Sequence, residues 1–177
     1  MHLFVMSFCQ WLQRTPVGAF VRQSVWAFPA VAALHILGAV PLITCTSILG
    51  ARLAGWTLRD VPVSRLAKGL MPWSAAGLAI ELVTGILLFC SSAAAYAETN
   101  IFPIKLLLIL VAGLNTLALL RTSDRRAAEW DAATVPPFGA RAAGYLSLLL
   151  WIGVLVLGRV LNTAVTLVTV SSNVPGR

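Results

Sequence analysis

The chain has 177 residues, of which 59% are apolar and only 11% are charged, and its mean hydropathy is +0.88. Soluble domains carry about 25% charged residues, so this composition excludes a water-soluble globular domain and indicates a protein whose solvent is lipid. The net charge of +7 does not indicate nucleic-acid binding, because the basic residues lie between apolar segments and form no basic stripe. We expect the lipid bilayer as a partner, and no nucleic acid.

The N-terminal residues 3–14 predict a short amphipathic helix. Their aromatic and aliphatic residues share one helical face and the polar residues lie off it, as in helices that lie in the membrane interface. A frayed apolar tail is the alternative. Thr15 and Pro16 then predict the start of a second helix, with Thr15 as the N-cap and Pro16 in the first turn.

Four apolar segments are long enough to cross a bilayer, since about 20 residues at 1.5 Å per residue span about 30 Å of hydrocarbon. They comprise residues 26–49, 70–92, 102–120 and 142–162. Each must be a helix, because an isolated strand leaves its backbone polar groups unpaired in lipid. The sequence therefore predicts an all-α polytopic membrane protein, a four-helix bundle in a single domain of residues 1–177. Whether residues 163–177 extend the last helix is left open.

The connections between the spans differ in charge. Residues 50–69 and 121–141 each carry four basic residues, whereas residues 93–101 carry none. Basic connections are retained on the cytoplasmic side of a membrane. The pattern therefore predicts that the first and third connections face the cytoplasm and that both termini lie outside.

Glycines and tryptophans mark expected contacts of the spans. Glycines that allow close helix packing are Gly77, Gly113, Gly144, Gly153 and Gly158. Tryptophans near the predicted interfaces, where indoles anchor helices, are Trp26, Trp56, Trp73 and Trp130. Trp151 lies in the middle of the fourth span, where we expect it to pack at a helix contact.

Two ionisable residues inside the spans are functional candidates, because burying such groups in lipid is costly. His35 lies in the outer half of the first span. One of its ring nitrogens can ligate a metal or haem iron, and a hydrogen bond between two helices is the alternative. Glu81 lies near the middle of the second span. We predict that Glu81 either relays protons or is a neutral carboxyl group that fixes the register of the helices. His35 and Arg159 are its candidate partners.

Three further polar residues belong to the candidate site. Lys105 and Arg159 lie toward the outer ends of the third and fourth spans, where each can extend to the interface or face an anionic group. Asn115 is a candidate polar relay residue or a hydrogen-bonding contact between helices. His35, Lys105 and Arg159 thus predict an outer cluster that either holds an anionic cofactor or forms a salt-bridged core.

Several segments together resemble a known family. They are Phe8-Cys9-Gln10-Trp11-Leu12, Ala33-Leu34-His35-Ile36-Leu37-Gly38, Leu70-Met71-Pro72-Trp73, Val83-Thr84-Gly85, Lys105-Leu106-Leu107-Leu108 and Leu148-Leu149-Leu150-Trp151. Over about residues 7–162 the chain resembles an uncharacterised family of bacterial inner-membrane proteins with four helices and an Ala-Leu-His-x-Leu-Gly motif. It departs from that family at Ala32, where Glu is frequent, and at Gly50-Ala51, where Asp-Leu is frequent, so no function of those acids is implied.

More remotely, the first span and the start of the third resemble the CopD copper-resistance proteins and the haem-binding protoporphyrinogen oxidases of the HemJ type. This likeness implies haem b on His35. We therefore predict a subunit of a larger bacterial inner-membrane assembly, non-catalytic or electron-transferring, with periplasmic termini and with Arg159 and Lys105 near the haem propionates. One histidine supplies one axial ligand, so the other would come from a partner subunit, a second copy of the chain or a thioether such as Met6.

Two other functions fit the same residues. A small transporter or metal permease would use His35 and Glu81 as its ion or proton path, and a scaffold subunit would bind no cofactor. The sequence contains no nucleophile triad, no phosphate-binding glycine loop and no cage of His and Cys ligands. We therefore predict no catalytic residues and expect no independent catalytic activity.

Overall fold

The structure, a computed structural model, describes residues 2–126, 130–131 and 136–172. Its helices are α1 (His2–Arg14), α2 (Pro16–Gln23), α3 (Ala27–Ala54), α4 (Val63–Ala97), α5 (Ile101–Arg125) and α6 (Phe138–Ser172). The helices α3 to α6 are each long and apolar enough to cross a membrane. The predicted all-α architecture, with four spans and a short N-terminal helix, is confirmed.

The helices extend beyond the predicted spans. Helix α4 has 35 residues and a kink at Ser92, whose φ of −139° is not helical. The part before the kink, residues 63–91, is about 43 Å long at 1.5 Å per residue, which exceeds the hydrocarbon thickness of about 30 Å. Hydropathy locates only the part of a helix that lies in hydrocarbon, so residues 70–92 mark the middle of α4. Helix α6 continues to Ser172, so the tail extends the last helix to that residue. Residues 173–177 lie outside the described residues.

The two N-terminal helices lie against α4. Thr15 is the N-cap of α2 and Pro16 is in its first turn, as predicted, because the Thr15 hydroxyl accepts a hydrogen bond of 3.3 Å from the Gly18 N–H. Gly18 permits the contact with α4, since a Cβ atom there would lie 2.8 Å from the carbonyl oxygen of Cys90. Trp11 and Phe20 stay exposed, which leaves apolar surface for the interfacial region of the bilayer.

The order of the spans in the bundle differs from their order in the chain. Helix α3 packs extensively on α4, and α6 packs on both α3 and α5, whereas α4 and α5 contact each other little. Two glycine pairs form the closest crossings of α3. A Cβ atom on Gly77 of α4 would lie 2.7 Å from the Gly38 oxygen, and one on Gly144 of α6 would lie 2.8 Å from the Gly50 oxygen. These crossings set the order α4–α3–α6–α5.

Two buried clusters hold the spans together. One contains Leu42, Ala112, Leu150 and Trp151, which confirms the expected helix contact of Trp151. The other cluster lies at the end of the bundle where α3 and α5 end and α4 and α6 begin. We call this end the basic end of the bundle. Trp130 was predicted as an interface anchor, but it is only 3% exposed and belongs to this second cluster.

Arg52 is buried in the last turn of α3, although the sequence suggested a basic connection that starts at Gly50. It is only 1% exposed. Its Nε donates to the Val61 oxygen at 2.9 Å and its Nη2 donates to the Arg59 oxygen at 3.0 Å. Helix α3 ends at Gly55, whose φ of 79° is the left-handed conformation typical of helix ends. Arg52 therefore ties the connection between α3 and α4 onto the basic end.

Asp131 caps α4 from a distant part of the chain. The N-cap residue of α4 is Pro62, and no side chain of the helix itself caps it. Asp131 supplies the missing acceptor, because the Ser64 N–H donates to its Oδ1 at 3.0 Å and the Ser64 hydroxyl donates to its Oδ2. Burial alone would raise the pKa of Asp131, but these bonds, a bond from Val63 and the charge of Arg52 lower the pKa below its ordinary value of 3.8.

A carboxyl group whose pKa is lowered by folding stabilises the folded state above its unfolded pKa. Replacing Asp131 by Asn keeps an acceptor for the Ser64 N–H but removes the negative charge. It is therefore expected to lower stability by roughly 0.3–1 kcal/mol at neutral pH, the value of a charge at a helix N-terminus. The difference between the two proteins should disappear as the pH falls below about 4. Thermal unfolding in detergent across this pH range measures the effect, and equal melting temperatures at neutral pH would contradict the cap.

Candidate functional site

A histidine and a glutamate meet between α3 and α4, within the spans. The His35 Nε2 lies 3.2 Å from the Glu81 Oε2, and the two side chains are 24% and 20% exposed. The other ring nitrogen, Nδ1, lies 2.8 Å from the hydroxyl oxygen of Thr84. Glu81 and Thr84 are three residues apart and so share one face of α4. The predicted pairing of Glu81 with His35 is thus present, and we call His35, Glu81 and Thr84 the polar triad.

The hydrogen bonds of Thr84 fix the proton on Nδ1. A hydroxyl group has one proton, and Thr84 donates it to the Ile80 oxygen at 2.6 Å. The Thr84 oxygen must then accept from His35, so Nδ1 carries a proton. The contact between Nε2 and Oε2 therefore holds one proton, which sits on the carboxyl group in a neutral pair or on the imidazole in an ion pair.

The second carboxyl oxygen of Glu81 is unpaired among the described residues. The Oε1 atom is buried and makes no hydrogen bond within the described part of the chain. A buried polar atom without a partner is costly and rare in native structures. Glu81 can therefore accept one more hydrogen bond, a proton or a cation at Oε1 while Oε2 stays in contact with His35.

Lys105 brings a positive charge toward the polar triad from α5. It lies within electrostatic range of both His35 and Glu81. Its side chain passes over Gly158 of α6, where a Cβ atom would lie 3.4 Å from Nζ. Lys105 is only partly exposed. It thus lies against Gly158 of α6.

The other two predicted site residues lie elsewhere. Arg159 is exposed on α6, and no ion pair with Glu81 occurs among the described residues. Asn115 donates its Nδ2 to the Ala143 oxygen at 3.1 Å, so it links α5 to α6 as a helix contact. The structure therefore brings His35 and Glu81 into contact, with Lys105 within electrostatic range, and leaves Arg159 and Asn115 outside this group.

Thr84 and Gly85 contribute to the site, although the sequence analysis gave them no role. A Cβ atom on Gly85 would lie 3.4 Å from the Cε1 of His35, so the glycine leaves room for the imidazole ring. Both residues follow Glu81 by one helical turn, the spacing that places side chains on one face. The sequence spacing therefore indicated that Thr84 and Gly85 share a helix face with Glu81. It could identify them as site residues only once His35 was known to face α4.

Haem ligation by His35 would have to displace one of the contacts that its ring makes. Both ring nitrogens of His35 have partners within the chain. The described residues also contain no group of three or more His, Cys, Asp or Glu side chains that could hold a metal ion.

The chain is a multi-pass membrane protein by the length and apolar character of α3 to α6. Its candidate site is a paired histidine and glutamate within those helices, with a lysine nearby. Comparisons with protein families, with curated proteins and with solved structures find no match to this chain.

Proposed function

We propose that the protein is a small membrane transporter of protons, in which His35 and Glu81 carry the transported proton. The observation that carries this proposal is the 3.2 Å contact between Nε2 and Oε2 inside the spans, beside a second carboxyl oxygen that is buried and unpaired. Ionisable residues at such depth in membrane proteins typically belong to ion or proton paths.

The mechanism uses the two oxygens of one carboxyl group. A proton that arrives at Oε1 neutralises Glu81, and the proton between Oε2 and Nε2 can then rest on the imidazole. Lys105 acts in the other direction, because a nearby cation stabilises the carboxylate and so favours proton release. The Thr84 hydroxyl holds the imidazole in one orientation throughout.

We further propose a bacterial inner-membrane location with both termini in the periplasm. Residues 50–69 and 121–141, at the basic end, carry most of the arginines and lysines between the spans. Residues 98–100, which link α4 to α5, carry no basic residue. By the positive-inside rule the basic end faces the cytoplasm. His35 lies in the N-terminal third of α3, so with this orientation the polar triad would lie toward the periplasmic half of the membrane.

Proton movement into liposomes tests the proposal. Purified protein is reconstituted with a pH-sensitive dye inside, and an imposed potassium diffusion potential drives proton entry. Replacing Glu81 by Gln keeps the shape of the side chain but removes the exchangeable proton. We expect this variant to lower the protein-dependent proton flux at least tenfold, since general acid–base groups typically contribute factors of about 100 to 10,000.

The matched control is Glu98→Gln, because Glu98 is an exposed residue just after α4 and undergoes the same chemical change outside the site. It should retain the wild-type flux. Unfolding in detergent shows whether Glu81→Gln is still folded. A wild-type flux equal to that of empty liposomes, or an unchanged flux in a folded Glu81→Gln protein, rules out the proposed function.

A further inference from the structure

A cavity lies away from the polar triad, at the basic end of the bundle. Its volume is about 360 Å³, which is within the range of roughly 300–1,000 Å³ typical of small-molecule sites. It opens between the end of α5 and the start of α6. The residues that line it include Asn115, Leu119, Thr122, Arg126, Trp130 and Ala143.

Trp130, one of the residues that line the cavity, carries a buried hydrogen-bond donor. Trp130 is only 3% exposed, and its indole N–H has no hydrogen-bond partner in the described part of the chain. Buried N–H groups are nearly always paired in native proteins. The tryptophan N–H can only donate, so its missing partner must be an acceptor.

Positive charge surrounds the same cavity. Arg126 lines it and is exposed, and no salt bridge of Arg126 occurs among the described residues. Arg141 lies next to the cavity residue Ala140, and its buried Nε is also without a partner. The neighbouring carboxylate of Asp131 is already bound by Ser64 at the start of α4. An anionic acceptor therefore suits the cavity better than a neutral one.

Two other polar side chains of the lining already have partners. Thr122 donates its hydroxyl proton to the Ala118 oxygen at 2.8 Å, and the Asn115 amide donates to the Ala143 oxygen. Much of the remaining wall is apolar, with Leu119 and several alanines. The cavity thus combines a cationic, N–H-donating end with apolar walls between two membrane helices.

We propose that this cavity binds an anionic phospholipid, with the lipid phosphate at Arg126 and Trp130 and the glycerol and upper acyl region against the apolar wall. Basic pockets between transmembrane helices are suited to anionic headgroups, and arginine is well matched to phosphate oxygens. Inorganic phosphate has the same headgroup chemistry but could not use the apolar walls. This site does not depend on the proposed proton function.

Native mass spectrometry of the full chain in detergent tests the proposal. Phosphatidylglycerol and phosphatidylcholine with the same acyl chains are titrated separately, and the bound fraction gives a Kd for each. We expect one phosphatidylglycerol to bind at least tenfold more tightly than phosphatidylcholine. Trp130→Phe keeps the ring but removes the N–H, and Arg126→Gln removes the charge, so each should weaken phosphatidylglycerol binding by roughly tenfold.

The matched control is Arg125→Gln, which removes the same charge from an exposed neighbouring residue that does not line the cavity. It should leave the Kd nearly unchanged. Equal binding of the two lipids, or equal losses in Arg125→Gln and Arg126→Gln, would overturn the proposal. Competition of millimolar inorganic phosphate with the lipid would instead assign the site to the free anion and overturn the lipid assignment. Because Arg126 is exposed, its variant remains informative even if Trp130→Phe unfolds.

Discussion

Replacing Arg52 by methionine is expected to lower the free energy of unfolding by about 3 kcal/mol. Methionine fills similar space but leaves the Val61 and Arg59 oxygens without the donors that Arg52 supplies. Hydrogen bonds to charged groups contribute roughly 1.5–3 kcal/mol each. The unpaired Nη1 of Arg52 offsets part of this loss, because its desolvation cost disappears with the side chain.

Unfolding in detergent measures the effect of Arg52→Met, and Arg65→Met is its control. Arg65 is exposed in the first turn of α4 and undergoes the same change of side chain, so its variant should stay within about 0.5 kcal/mol of the wild type. If the two variants unfolded alike, Arg52 would be no more important than a surface arginine, and its two bonds to the connection would contribute nothing measurable.

Replacing Gly77 by alanine is expected to destabilise the protein by about 1–3 kcal/mol, the usual cost of overpacking. The new Cβ atom would lie 2.7 Å from the Gly38 oxygen and 2.8 Å from the Leu42 nitrogen. Both are backbone atoms, so α3 and α4 must move apart to make room. Alanine favours a helix over glycine by about 1 kcal/mol, and this gain only partly offsets the clash.

The matched control is Gly113→Ala in α5, because a Cβ atom there has no neighbour within 4 Å. This variant should be neutral or stabilised by up to about 1 kcal/mol. Opposite signs of the two changes in unfolding free energy would demonstrate the α3–α4 crossing. Since Gly77 lies one turn before Glu81, Gly77→Ala should also reduce the proton flux. A stabilised Gly77→Ala protein would show that the two helices do not approach this closely.

Hydropathy located all four spans, because the cost of unpaired backbone groups in lipid leaves helices as the only solution for such segments. The start of α2 was also predictable, since Thr15 and Pro16 have strong local preferences. The ends of the helices were not predictable from the sequence. The last turn of α3, with Arg52 buried inside it, depends on two carbonyl oxygens of the following connection, and no local pattern indicates such contacts.

The sequence predicted which residues belong to the candidate site, but not which of them contact each other. The cost of charge in lipid identified His35, Glu81, Lys105 and Arg159, but apolar spans give no pattern that tells which face of a helix meets which neighbour. Arg159 therefore seemed equivalent to Lys105, although it is exposed on α6. The site depends on the rotation of α4 against α3, which the Gly38–Gly77 crossing determines.

The weak contact between α4 and α5 has a consequence for how the chain assembles during insertion. Membrane helices first insert as separate units and then associate. Because α3 packs on α4 and α5 packs on α6, the chain divides into two hairpins joined by the short 98–100 connection. The polar triad lies wholly within the first hairpin, whereas Lys105 belongs to the second. The first hairpin can thus form its histidine–glutamate contact early during synthesis, and the lysine charge arrives only when the Gly50–Gly144 crossing docks the second hairpin.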